Sequence, residues 1–178
     1  MTTNKGQAAL QDYTEELQRI VSCVARDVCF VYPNREGRQV LAWSQGQVKL
    51  KRIDGGLLFI DISQEIDDPV PDNKDAVSTR EYIYSILDEA KNDLIGFHYH
   101  PELDDDPVLY PHIHVYADAD KRFAFFNLHK RHIPCGRVAL EDVIEWMIVE
   151  LKVKPLRDDW MDVLVATRAK FKTMRTWT

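Results

Sequence analysis

Cysteine is scarce in this sequence, and long apolar runs are absent. The 178 residues include 3 cysteines, which form no CxxC pair, so a reducing compartment fits the chain better than a disulfide framework does. No window approaches the roughly 18 consecutive apolar residues that a membrane span requires. The N-terminal segment also lacks the apolar core of a secretory signal. These absences argue against a membrane or secreted protein and predict a cytoplasmic location.

Glycine is also infrequent, and the 7 glycines match no phosphate-cradling loop. The remaining composition, with 45% hydrophobic and 29% charged residues, is ordinary for a soluble globular protein. A chain of this length can bury a sufficient core without disulfides or a structural metal. We therefore expect one domain over residues 1–178.

Charge is distributed unevenly along the chain. The formal net charge is -6, but residues 61–106 hold fourteen acidic side chains against three basic ones, a local net charge of -11. Residues 121–140 carry five basic side chains and no acidic one. This contrast indicates either a local patch that attracts anions or simply solvated charge.

Hydrophobic periodicity predicts the elements in the first part of the chain. Apolar residues recur at helical spacing from Leu10 to about Arg26 and predict an N-terminal helix. Four short apolar runs, separated by turn-forming residues, then predict strands of an antiparallel meander. These runs are Val28–Tyr32, Arg38–Trp43, Val48–Ile53 and Leu57–Ile62. Residues 63–76 are expected to form a polar connection.

A further helix is predicted in the middle of the chain. Ser78 and Glu81 have the spacing of a capping box, which marks the start of a helix. Apolar residues then follow at intervals that fit a helix. They are Ile83, Ile86, Leu87 and Ala90.

The second half of the chain returns to strands and ends in helices. Leu94–His100 and Pro111–Ala117 are expected to pair across the acidic loop Glu102–Pro107, with Phe123–Leu128 as one more strand. Helices are expected over Ala139–Lys152 and from Trp160 onward. The predicted class is α+β, a mainly antiparallel sheet with an N-terminal helix, one middle helix and two C-terminal helices against one face.

Histidine is the most informative residue type. All 6 histidines lie between positions 98 and 132, and they are His98, His100, His112, His114, His129 and His132. Side chains alternate across a strand, so each of the two His-x-His pairs projects to one face. If the two strands pair, four imidazoles converge, with opposed Cβ atoms about 5 Å apart. Such geometry is typical of a metal site or an acid–base site.

Three interpretations of this cluster stay open. In the first, a divalent transition metal such as Zn²⁺ or Mn²⁺ is bound; the ligands would be His98, His100, His112 and His114. A carboxylate of the acidic loop would then be a further ligand or would fix a histidine tautomer. In the second, His98, His100 and His132 transfer protons without a metal. In the third, the histidines occupy alternate polar positions of a half-exposed sheet and have no chemical role.

The basic stretch LHKRHIPCGR contains the last two histidines. If it folds back to the hairpin, His132 becomes a candidate for proton transfer. Its cationic side chains, Lys130, Arg131 and Arg137, then become candidates for contacts with substrate phosphate.

Three other side chains near the histidines have possible chemical roles. Cys135 is a soft metal ligand or a nucleophile in one interpretation, but we expect it to be a buried thiol without a chemical role. Tyr110 or Tyr116 could hydrogen-bond a substrate, although we expect packing to be their first role.

The residues PHIHV, which include His112 and His114, resemble the paired-histidine metal motif of rolling-circle replication and transposase endonucleases. Those enzymes also carry a nucleophilic tyrosine on a later helix. No tyrosine follows Tyr116 in this sequence, so a covalent phosphotyrosine mechanism is not expected.

The order of strands, a histidine-rich polar stretch and a closing helix resembles small bacterial toxins of the TumE type, which occur in toxin–antitoxin pairs. The resemblance implies a defence or stress protein that acts on RNA or phosphate esters, with an antitoxin as its partner. No motif aligns residue by residue, so no catalytic residue is carried over.

Together these features predict a small cytoplasmic phosphodiesterase or nuclease that is directed at RNA and built on the histidine hairpin. The alternative is a non-catalytic module that binds a partner or a metal. In that alternative the first and last helices would contact an antitoxin or a second copy of the chain, and the histidines would be structural.

Overall fold

The computed structural model describes residues 5–26, 29–33, 38–43, 46–67, 77–101, 108–116 and 131–174. These residues form three helices and an antiparallel sheet of eight strands. The helices are α1 (Lys5–Val21), α2 (Leu140–Val149) and α3 (Trp160–Met174). The strands are β1 (Cys29–Pro33), β2 (Gln39–Trp43), β3 (Val48–Lys51), β4 (Leu57–Asp67), β5 (Ser78–Leu87), β6 (Asp93–Tyr99), β7 (His112–Val115) and β8 (Ile133–Pro134). The predicted α+β class with a mainly antiparallel sheet is therefore confirmed.

The strand order is β1-β2-β4-β5-β6-β7-β8, with β3 also paired to β4. The predicted meander is wrong in one respect, because β3 does not pair with β2. Strand β4 is long enough to take both along the edge opposite β5: Ala42 of β2 is registered with Ser63, and Val48 of β3 with Ile60. Residues 63–67, expected in a polar connection, extend β4 because Gln64 and Ile66 continue its buried alternation.

The middle helix predicted from Ser78 is wrong, because these residues form β5. The local helical signals compete there with a stronger alternation, in which Tyr82, Tyr84 and Ile86 are all buried. The rings of Tyr82 and Tyr84 stack at a centroid distance of 4.8 Å. Aromatic and β-branched side chains pack well on a pleated sheet, and β5 pairs on both sides, so tertiary pairing overrides the local propensity.

All three helices pack against one face of the sheet, where the hydrophobic core lies. Tyr13 of α1 contacts Phe171 of α3 at a ring distance of 5.1 Å, and Phe97 of β6 contacts Trp146 of α2 at 5.9 Å. Because side chains alternate along a strand, the neighbours of Phe97 project away from the helices. The opposite face of the sheet is therefore available for polar side chains. No helix among the residues described is both long and apolar enough to cross a membrane.

Candidate metal centre

The histidine hairpin forms as the sequence predicts. Strands β6 and β7 are antiparallel, with His98 registered opposite His112 and Gly96 opposite His114. Between these rows, Phe97 is registered opposite Ile113 and points to the helix side. The imidazoles consequently share the face of the sheet that the helices leave open, which is the convergence expected from the period of two.

Three of the imidazoles are close enough to bind one ion. Within the described part of the chain, one ligand nitrogen from each of His98, His112 and His114 lies within 4.8 Å of the other two. Nitrogens around a tetrahedral Zn²⁺ lie about 3.4 Å apart, given Zn–N bonds of about 2.0–2.1 Å. Small rotations of the rings would close that difference. We refer to these three residues as the histidine trio.

A backbone hydrogen bond fixes the tautomer of His112. Its Nδ1 lies 2.9 Å from the carbonyl oxygen of Tyr110, and a carbonyl oxygen can only accept. The neutral ring therefore carries its proton on Nδ1 and its lone pair on Nε2. Metal-binding histidines are commonly oriented by such a bond to the backbone.

The imidazole of His98 occupies space that only glycine leaves open. Its Nε2 is buried and has no hydrogen-bond partner among the residues described. A Cβ atom at Gly96 would lie 2.6 Å from this nitrogen. Burial, together with charge repulsion from His114, His100, His112 and His132, lowers the pKa of His98 to about 3. The ring is therefore neutral near pH 7 and offers a lone pair.

His100 and His132 flank the trio on different sides. The His100 ring is 5.1 Å from that of His112 and 5.7 Å from that of His98. The His132 ring is 4.7 Å from His112 and 4.6 Å from His114. His132 therefore lies at the hairpin, which is the condition on which its candidacy for proton transfer depends. His100, expected among the ligands, lies beside the trio.

An acidic residue that the sequence pattern assigns to the start of a helix lies near His100. Glu81, interpreted as part of a capping box, is on β5 next to Tyr82, which is registered opposite Tyr99. Burial raises the pKa of the Glu81 carboxyl, and the carboxylate of Glu65 raises it further, whereas the charge of His100 lowers it. Strand alternation across β5 is the signal that could have placed Glu81 on the histidine face.

The tyrosines differ in their surroundings. Tyr116 stacks on the ring of His114 at 5.6 Å and 17° and is partly buried, which agrees with a packing role. The Tyr110 ring lies 6.3 Å from the His112 ring at 84° and is exposed.

The cationic candidates are not all at the trio. Arg137 lies over the ring of Tyr99 at 4.1 Å and donates to the carbonyl of Thr79 at 3.2 Å, and Tyr99 points to the face of β6 opposite His98. Arg131 is exposed and directly precedes His132. Lys130, His129 and the predicted strand Phe123–Leu128 lie outside the described residues.

Cys135 has the environment of an inert thiol. Its backbone N–H donates to the carbonyl of Pro111 at 2.9 Å, and burial raises the pKa of its thiol. A thiol is a poor nucleophile when its pKa is raised.

We expect Cys135→Ser to leave both the metal affinity and any hydrolytic activity of the protein within about two-fold of wild type, because a thiol with a raised pKa supplies little thiolate. Metal titration and a turnover assay of the two proteins check this. A loss of metal from the variant would instead make the sulfur a ligand.

No protein-family model, no curated protein and no solved structure matches this chain. The functional argument therefore depends on the geometry of the site.

Proposed function

We propose that this protein binds one divalent transition-metal ion through His98, His112 and His114 and uses it to cleave phosphodiesters. The observation that carries the proposal is the approach of three ligand nitrogens to within 4.8 Å of one another, with two further imidazoles in contact with them. Clustering of imidazoles is unfavourable without a ligand, because each ring loses solvation and repels the others when protonated.

The donor set favours particular metals. Imidazole nitrogens are borderline-soft ligands that suit Zn²⁺ and other transition ions, whereas Mg²⁺ and Ca²⁺ prefer oxygen. Three protein ligands are typical of catalytic zinc sites, which keep one position for water or substrate. Zn²⁺ is the first candidate on these grounds, and Mn²⁺ is the second.

The flanking histidines supply the groups that phosphodiester cleavage requires. His100 directly follows β6, beyond the pair of His98 and His112. His114 lies towards the other end of the hairpin, and His132 directly precedes β8, which pairs with β7. The two flanking rings thus approach the trio from different sides, as a general base and a general acid would in an in-line displacement. A divalent ion at the trio would act as a Lewis acid on a phosphoryl oxygen.

RNA is the proposed substrate class. The exposed Arg131 carries a positive charge to the edge where His132 contacts the trio, and such a cation can contact a phosphate. The net charge of -6 disfavours strong non-specific affinity for long polyanions. We therefore expect short or structured single strands to be cut in preference to duplex DNA.

Four further expectations from the sequence stay predictions. They are a toxin role, an antitoxin partner, a second copy as partner and a cytoplasmic location.

The test is a hydrolysis assay with protein stripped of metal and then supplied separately with Zn²⁺, Mn²⁺ or Mg²⁺. The substrates are a short single-stranded RNA, the same sequence as DNA, and bis(p-nitrophenyl) phosphate. We expect cleavage of RNA with Zn²⁺ or Mn²⁺ and none after chelation. Folded, metal-loaded protein that cleaves none of the three substrates would contradict the proposal.

A second candidate function is a metal-stabilised module without catalysis. The burial of two histidines favours it, since His112 of the trio is 0% exposed and the flanking His100 is 4% exposed, and structural metal sites are closed to substrate. This candidate predicts that metal removal lowers the unfolding temperature or changes the oligomeric state, while no substrate is turned over.

A further inference from the structure

An exposed aromatic ring lies beside the histidine trio. The side chain of Tyr110 is 44% exposed, and its neighbour Leu109 is 67% exposed. Both precede Pro111, whose carbonyl accepts the hydrogen bond from Cys135 that continues the pairing of β7 with β8. These two side chains are therefore exposed apolar groups just before β7, and Tyr110 lies next to a polar site.

Tyr110 is held at a defined distance from the trio by two contacts with His112. Its ring meets the imidazole nearly at a right angle, at a centroid distance of 6.3 Å. Its carbonyl accepts the hydrogen bond from Nδ1 of the same imidazole at 2.9 Å. The position of the tyrosine is thus coupled to that of a proposed metal ligand, while much of its ring is left to solvent.

We propose that Tyr110 is a stacking platform for a nucleobase of the RNA whose phosphodiester lies at the histidine trio. This inference rests on the proposed function and extends it, because it assigns a subsite that recognises the base rather than the phosphate. In a nucleotide the base is one ribose away from its phosphate, so a ring next to His112 is suitably placed. Stacking on an aromatic side chain is sequence-tolerant, because every base has a π-face.

A nucleobase fits this surface better than a protein segment does. The exposed apolar area is small, and the ring of Tyr110 adjoins the imidazole of His112, which belongs to the trio. Anionic phosphate beside a flat apolar base matches that combination of groups. A protein partner would require a wider apolar surface than two side chains provide.

The test measures binding before turnover. The probe is a fluorescein-labelled single-stranded RNA with phosphorothioate linkages that resist hydrolysis, compared with the same strand in which the central nucleotides lack their bases. Fluorescence anisotropy is read on metal-loaded wild type, Tyr110→Phe and Tyr110→Ala. Tyr32→Ala is the matched control, because Tyr32 is 49% exposed on β1, at the opposite edge of the sheet.

We expect Tyr110→Ala to weaken the affinity for base-bearing RNA about 10-fold, which corresponds to the loss of one stacked base. Affinity for the abasic strand and metal content should stay unchanged, because only the side chain is removed and the backbone carbonyl to His112 remains. Tyr110→Phe and Tyr32→Ala should bind both strands as wild type does.

Four binding results would overturn the inference. They are no binding of RNA by wild type, an equal effect of Tyr110→Ala on both strands, no effect on either, and an equal effect of Tyr32→Ala. A change of oligomeric state in Tyr110→Ala, seen by light scattering, would assign the surface to a protein contact instead. Binding is measured separately from turnover. If RNA binds through Tyr110 but is not cleaved in the hydrolysis assay, the stacking role of Tyr110 is supported and the phosphodiesterase proposal is wrong.

Discussion

Replacing His114 with alanine is expected to lower the affinity for Zn²⁺ by more than about 100-fold, beyond the range caused by loss of an outer-shell partner. The variant removes one of the three nitrogens that lie within 4.8 Å of one another. Two imidazoles hold a transition ion far less tightly than three, so metal-dependent hydrolysis should disappear with the metal. Competition with a chelating dye of known affinity measures the first effect, and the RNA assay measures the second.

His114 is a better choice for this test than His112, because His112 is fully buried and its loss would leave a cavity. His132→Ala is the comparison, since His132 touches the trio without belonging to it. We expect His132→Ala to keep the metal and lose turnover. If His114→Ala binds Zn²⁺ as tightly as wild type, the assignment of the trio is wrong.

Gly96→Ala is the second substitution with a large expected effect, although it adds only one methyl group. The new Cβ atom would lie 2.6 Å from Nε2 of His98, a distance that forces the imidazole to turn away. The ring can rotate, so the strand should survive, but the imidazole would leave the position in which one of its nitrogens lies within 4.8 Å of those of His112 and His114. We expect Zn²⁺ affinity to fall by about 10- to 100-fold, the range for disturbed orientation of a ligand.

Gly136→Ala provides the control for Gly96→Ala. A Cβ atom at Gly136 would meet no heavy atom within 4 Å, so this variant makes the same chemical change without a clash. Circular dichroism should show both variants folded, and dye competition should show a weakened site in Gly96→Ala alone. Equal Zn²⁺ affinity in the two variants would mean that His98 does not ligate through the nitrogen near Gly96.

The hairpin was predictable because its information is local. Alternation with period two in the His-x-His pairs decides which side chains share a face. The pairing of β6 with β7 can therefore shift only in steps of two residues if both pairs are to share one face. The structure adds that His98 is opposite His112 and that both face away from the helices. The position of His132 does not follow from the sequence, because β8 is two residues long and its pairing depends on distant residues.

The middle of the chain could not be predicted in the same way. Ser78, Glu81, Ile83 and Ile86 satisfy a helical pattern, and only the pairing of β5 with β4 and β6 decides for a strand. That error also concealed Glu81 as a neighbour of the histidines. Gly96 was a missed signal, since a glycine inside a strand often marks a close approach. Which imidazoles group as three depends on ring positions that spacing does not fix.

The central claim is that three imidazoles of the hairpin hold one ion. Its most direct test is the metal content of untagged protein, incubated with Zn²⁺ and dialysed, by elemental analysis. The structure predicts about one Zn²⁺ per chain in wild type and a small fraction of that in His114→Ala. Wild-type protein that is folded and retains no metal, or that retains the same amount as His114→Ala, would contradict the claim.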